Sequence, residues 1–133
     1  MTVSTPADVL RYYGGRPTTV VIFGASGDLT HRKLMPALFN LFCKQRLPDD
    51  MRVVGTGRTV FTHEQYRQNV RKGIDDFGAF SFSDEEWTHF AQHLYYISAE
   101  PTPDAGLGVL QAGLAGIENG SANRLYYLAT PPA

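Results

Sequence analysis

Hydrophobic positions along the chain follow two alternating periods. "TTVVIFG" (Thr18 to Gly24) is a continuous apolar, β-branched run ended by glycine, which predicts a strand buried on both faces. Leu34, Leu38, Leu41 and Phe42 then recur at helical spacing, and Pro36 inside that segment predicts a kink or an irregular first turn. This helix should end near "QRLPDD". "RVVGTGR" (Arg52 to Arg58) predicts a second short strand. "THEQ" (Thr62 to Gln65) has capping-box spacing and opens a helix to about Ile74, broken by "DDFGAFS". "SDEE" (Ser83 to Glu86) opens a short helix through Trp87 and Phe90. "HLYYIS" (His93 to Ser98) reads as a third strand. "PTPDAG" starts a helix with Pro103 near its first turn and an apolar face of Leu107, Leu110, Leu114 and Ile117. Gly106, Gly108, Gly113 and Gly116 weaken that helix, by roughly 1 kcal/mol each relative to alanine. "NRLYYLAT" (Asn123 to Thr130) is the fourth strand.

Strands that alternate with helices require a parallel sheet with crossover connections. The expected fold is α/β: a Rossmann-type parallel sheet of order 3-2-1-4 with helices on both faces, incomplete at its C-terminal side. Met1 to Pro17 is a polar lead-in without a clear period, read as a tail or docking segment, and residues 18–133 are expected to form one domain.

Composition narrows the function classes. The chain has 133 residues, enough for one core, with 43% hydrophobic and 19% charged residues. A net charge of -1 gives no general attraction to nucleic acid or an anionic membrane, so any anion site must be local. The apolar runs are too short for a membrane span, and the N-terminus lacks a secretory pattern. A single cysteine, Cys43, forbids an internal disulfide and reads as a buried helical thiol. The expected compartment is the cytoplasm.

The first strand's end carries the chemistry. In a doubly wound sheet that loop faces the crevice where the strand order reverses. Gly24 permits an immediate turn, Gly27 permits close approach, and the following helix N-terminus suits a pyrophosphate. The match to G-x-G-x-x-G is poor, with Ser26 and Leu29 at the second and third glycines, so a purely structural strand–helix turn is the competing reading. Asp28 either caps the helix or joins the ligand site. His31, Arg32 and Lys33 form either a solvated surface or a phosphate contact, with Lys33 favoured to turn inward. After the second strand, NAD sites usually place an acid for the ribose 2′-hydroxyl. Here stand Arg58 and Thr59, which suit a 2′-phosphate and hence NADP, with a solvent-exposed arginine that has no partner as the competing reading. His89 and His93 lack a completing carboxylate or thiol for a metal, and Tyr95, Tyr96, Tyr126 and Tyr127 read as core or crevice wall. The Tyr-x-x-x-Lys pair, the G-x-S-x-G elbow and the Walker A lysine do not occur.

"IFGASGDLTHRKLMPALFNLF", "VVGTGR" and "NRLYYLATPP", in this order and spacing, resemble the N-terminal coenzyme domain of the glucose-6-phosphate dehydrogenase family. The resemblance implies that Gly24, Ala25, Ser26, Gly27, Asp28, Leu29, Thr30 and His31 wrap the NADP pyrophosphate. It implies that Arg58 and Thr59 hold the 2′-phosphate, that Lys33 lies between coenzyme and sugar phosphate, and that Ala129, Pro131 and Pro132 border the nicotinamide. "SAEPTPD" departs from the glycine and aromatic that family members often carry after the third strand. The family's I-D-H-Y-L-G-K segment, with its catalytic base, does not occur in these residues. The expectation is therefore a fragment of an NADP-dependent oxidoreductase that oxidises glucose 6-phosphate in the pentose phosphate pathway. It would hold the coenzyme without catalysing the reaction alone, and an open sheet edge would make it self-associate or leave it marginally stable. A stand-alone NADP-binding module and a different Rossmann oxidoreductase or epimerase are the alternatives.

Overall fold

A computed structural model describes residues 18–48, 50–99, 103–120 and 122–128. The N-terminal tail and Ala129, Pro131 and Pro132 lie outside the described residues.

Four strands form one all-parallel sheet in the order β3-β2-β1-β4: β1 is Thr18–Phe23, β2 Arg52–Gly57, β3 Leu94–Ser98 and β4 Asn123–Leu128. The expected order is the observed one. The central strand β1 buries both faces, as its unbroken apolar run requires. Ile22 faces one helical layer, and Val21 faces the other.

On the first face lie α1 (Met35–Cys43), α2 (His63–Phe77) and α3 (Asp84–Ala91). They send Met35, Phe39, Tyr66, Val70, Ile74 and Phe90 into the larger core against Ile22, Val53, Leu94 and Tyr96. On the second face α4 (Pro103–Glu118) packs Leu110 and Leu114 on Val21 and Val54. Gly113 brings α4 close, since a Cβ there would lie 2.6 Å from Ile97 Cδ1. Both expected capping boxes are present, at Thr62 with Gln65 and at Ser83 with Glu86.

The irregularity expected around Pro36 precedes it. Thr30–Leu34 is a π-helical turn, and the Met35 N–H closes it on Thr30 O. Pro36 has no N–H of its own to supply to the next bond, and it is buried at the start of α1. α2 ends three residues beyond the expected Ile74, at Phe77. Arg71 pairs with Asp75 one turn on at 3.1 Å, and Arg32 lies 4.9 Å over the Phe77 ring, so the acidic pair continues the helix.

Of the two readings, core or crevice wall, Tyr126 and Tyr127 do not take the first: they are 56% and 45% exposed. The helices cover β1, β2 and β3, whereas these tyrosines stand on the edge strand. Cys43 is half-buried, and burial together with the Glu86 carboxylate pushes its thiol up to about 12. Among the described residues no helix is long and apolar enough to cross a membrane.

Candidate dinucleotide site

The chain leaves β1 at Gly24, whose φ of 77° lies in the left-handed region that favours glycine. That turn sends the N–H groups of Gly24 and Ala25 onto the carbonyl of Thr56 in β2, at 3.1 and 3.2 Å. Gly27 N–H returns to Gly24 O at 2.9 Å, and Thr30 Oγ1 donates to the same oxygen at 3.1 Å. A Cβ on Gly27 would stand 3.0 Å from Gly24 O, so the tight turn depends on its absence. Helical backbone then begins at Asp28. The first N–H groups of a helix have no intrahelical acceptor and present a partial positive charge. Leu29 is 45% exposed there, an apolar side chain at the mouth of the crevice.

The second loop lies beside the first. Gly57 ends β2, and Arg58 and Thr59 follow in the open. Thr59 Oγ1 and Ser26 Oγ are 3.2 Å apart, so residues 33 positions distant in sequence meet across the crevice. Arg58 is exposed and forms no hydrogen bond or ion pair among the described residues. Arg58 and Thr59 are followed by Val60 and Phe61, so no carboxylate stands in the loop that leaves β2, and Asp50 lies before the strand.

Asp28 and His31 have side-chain contacts of their own. The Asp28 carboxylate takes Arg32 Nε at 2.7 Å instead of a helix-capping N–H, and both side chains are exposed. The His31 ring packs edge-on against Phe77 at 5.8 Å, and the Nδ1 of His31 sits 2.9 Å from where a Cβ on Gly73 would be. Its imidazole is thus fitted into α2, and its backbone is the part that follows the glycine turn. Lys33 is exposed on the π-helical turn. His93 Nδ1 lies 2.8 Å from Met51 O, which fixes that ring at the opposite end of the sheet.

Sequence reasoning missed the supports behind the two loops. Tyr66 of α2 and Tyr96 of β3 are buried with ring centroids 4.8 Å apart. The Tyr66 hydroxyl donates to Ala25 O at 3.3 Å, and the Tyr96 hydroxyl donates to Thr59 O at 2.6 Å. Burial raises the pKa of both phenols, with the neighbouring Tyr96 adding to the effect on Tyr66. Each therefore remains a hydroxyl donor. His63 Nδ1 accepts the Tyr96 N–H at 2.9 Å, and burial, then the nearby Arg67 charge, lowers the imidazole pKa and keeps that acceptor lone pair free.

A parallel 3-2-1-4 sheet with a glycine turn at the carboxyl end of its central strand, opening a helix where the strand order reverses, defines a dinucleotide-binding α/β domain. The profile of the family described as glucose-6-phosphate dehydrogenase, NAD binding domain, matches residues 21–133. The chain belongs to that family. It is 38% identical over 120 residues to glucose-6-phosphate 1-dehydrogenase of Chlamydia muridarum, covering 87% of this chain and 24% of that protein. It is 40% identical over 118 residues to the enzyme of Aggregatibacter actinomycetemcomitans, covering 86% of this chain and 23% of the relative. The fold agrees with the solved glucose-6-phosphate 1-dehydrogenase of Mycobacterium avium at a TM-score of 0.73 and 29% identity, over 88% of this chain and 24% of that one. A glucose-6-phosphate dehydrogenase solved with its substrate agrees at 0.68 and 28% identity, over 88% of this chain and 25% of the other. The chain thus spans about a quarter of the length of these relatives. Its cofactor is a nicotinamide dinucleotide.

Proposed function

We propose that this chain binds NADP as the coenzyme side of a glucose 6-phosphate oxidation. The observation that carries the choice of NADP is Arg58: an exposed guanidinium without a partner among the described residues, at the carboxyl end of β2, where no carboxylate follows the strand to receive a ribose hydroxyl. A planar guanidinium suits a phosphate, and Thr59 beside it offers a hydroxyl.

The residues present fit the coenzyme. Gly24 supplies the left-handed φ of the β1–helix turn and Gly27 leaves its close approach to Gly24 O free of a Cβ, so the Gly24, Ala25, Ser26 and Gly27 backbone can approach a pyrophosphate. Asp28, Leu29 and Thr30 supply the first helical N–H groups, and the His31 backbone completes the turn. Leu29 covers the coenzyme from the mouth of the crevice. Lys33, exposed on the next turn, serves the sugar phosphate, and Ala129, Pro131 and Pro132 border the nicotinamide. When bound, the coenzyme would supply the hydride acceptor for C1 of glucose 6-phosphate, and lactone formation would also require a base to take the C1 hydroxyl proton. This chain's residues bind and orient that acceptor. An I-D-H-Y-L-G-K segment with its base does not occur among them. The edge strand exposed at Tyr126 and Tyr127 makes self-association of this chain part of the same proposal.

Amide chemical shifts recorded during an NADP titration test the reading. The largest changes are expected from Gly24 to Leu29 and at Arg58 and Thr59. Changes centred at the opposite end of the sheet, around Met51 and His93, would refute it.

A further inference from the structure

β2 carries two glycines on one face, Gly55 and Gly57, and each makes room for a tyrosine hydroxyl. A Cβ on Gly55 would lie 2.7 Å from the Tyr66 hydroxyl, and one on Gly57 would lie 3.3 Å from the Tyr96 hydroxyl. The two hydroxyls do not serve one another. Tyr66 holds Ala25 O, in the loop after β1, and Tyr96 holds Thr59 O, in the loop after β2.

Every described peptide bond is trans. In a trans peptide the carbonyl of one residue and the N–H of the next point in opposite directions. Drawing Ala25 O inward to Tyr66 therefore aims the Ser26 N–H away from the core. Drawing Thr59 O inward to Tyr96 does the same for the Val60 N–H. Among the described residues neither N–H has a backbone acceptor. The same bonds withdraw two carbonyl oxygens that would otherwise repel a phosphate.

We infer that Tyr66 and Tyr96, seated over Gly55 and Gly57, are positioning residues that orient the two phosphate-facing loops separately: Tyr66 the pyrophosphate loop, and Tyr96 the loop that selects the 2′-phosphate. This inference rests on the NADP reading above. Neither tyrosine touches coenzyme. The 2.6 Å bond of Tyr96 is the stronger hold, and the 3.3 Å bond of Tyr66 is long for a hydroxyl donor.

Tyr96→Phe and Tyr66→Phe keep the stacked rings and remove one hydroxyl each. Calorimetric titration of the chain with NADP and with NAD separates their roles. Loss of one hydrogen bond corresponds to roughly three- to tenfold in affinity. Tyr96→Phe should weaken NADP by about tenfold and leave NAD within about twofold. Tyr66→Phe should weaken both coenzymes alike, by about threefold. Gly57→Ala, whose methyl at 3.3 Å would press the Tyr96 hydroxyl aside by a few tenths of an ångström, should reproduce part of the NADP-selective loss. Thermal melting confirms that each variant is folded. A general loss of stability would lower both coenzymes together in every variant, and that pattern overturns the inference. If wild type prefers NADP in an Arg58-dependent manner and Tyr96→Phe retains that preference, the inference fails and the NADP reading stands. If wild type binds neither coenzyme, the reading fails and the inference with it.

Discussion

Replacing Glu118 by glutamine should destabilise the fold by about 2–3 kcal/mol, because its carboxylate joins α4 to the sheet at the end remote from the coenzyme loops. Glu118 is the last residue of α4 and is 6% exposed. It accepts Thr19 Oγ1 at 2.7 Å and a forked pair of bonds from Arg124, the shorter being 2.7 Å from Nη2. Thr19 pairs in register with Arg52 on one side and Arg124 on the other, so two guanidinium groups flank the acid across three strand starts. Among the described residues Arg52 Nη1 is buried without a hydrogen-bond partner, and its charge acts on Glu118 through space. Burial acts to raise the Glu118 pKa, but the Arg124 and Thr19 hydrogen bonds and both arginine charges outweigh it and hold the carboxyl below its usual range. Breaking a buried pair from one side costs about 3–5 kcal/mol. Arg124 keeps 27% of its side chain exposed and can rehydrate, which places the effect at the lower end. Urea unfolding followed by circular dichroism measures it. The sign of the pH dependence follows from the depressed pKa: the carboxylate's contribution is complete above the unfolded value of about 4.3 and is lost as pH falls through the folded value. The gap between wild type and Glu118→Gln should therefore be constant near neutrality and close in acid. A variant within about 0.5 kcal/mol of wild type at pH 7, or a gap independent of pH, would refute the reasoning.

Two glycines of α4 should respond with opposite signs. At Gly116 an alanine methyl would enter open space, so Gly116→Ala should raise stability by up to about 1 kcal/mol, whereas Gly113→Ala meets Ile97 and should lower it; paired melting curves decide. Cys43, with its thiol pushed up to about 12, should react with a disulfide reagent at pH 8 far more slowly than free cysteine, and a rate equal to the free thiol's would contradict that environment.

Much of this architecture was legible along the chain because it is written in local signals. The unbroken β-branched run of β1, the two capping boxes and the glycine-ended strands each report their own neighbourhood, and alternation of strand and helix restricts the topology to a few orders. What stayed hidden depends on residues brought together from afar. Thr19 and Glu118 are 99 positions apart, and no periodicity joins them. Tyr96 reads as core or crevice wall, and it is buried, but strand position does not disclose which carbonyl a buried hydroxyl finds. Gly55 and Gly57 offered a faint signal, as alternate glycines on one strand face mark close approach by something else. Tyr126 and Tyr127 have the residue types of a buried strand, and their exposure follows from the reach of the helices rather than from the strand itself. His31 stands in the basic cluster by sequence, yet the absent Cβ of Gly73 draws its ring into α2.

Calorimetric titration of wild type and Arg58→Ala with NADP and with NAD tests the proposal that Arg58 makes this dinucleotide site an NADP site. A charge-assisted hydrogen bond contributes roughly 1.5–3 kcal/mol, so wild type should prefer NADP over NAD by about ten- to a hundredfold at low salt. Salt should erode the preference, because Arg58 is exposed. Arg58→Ala should abolish most of it while leaving NAD binding nearly unchanged, since the Gly24–Gly27 turn serves both coenzymes. Equal weakening of NAD and NADP in Arg58→Ala, or a wild type that does not distinguish them, would contradict the account.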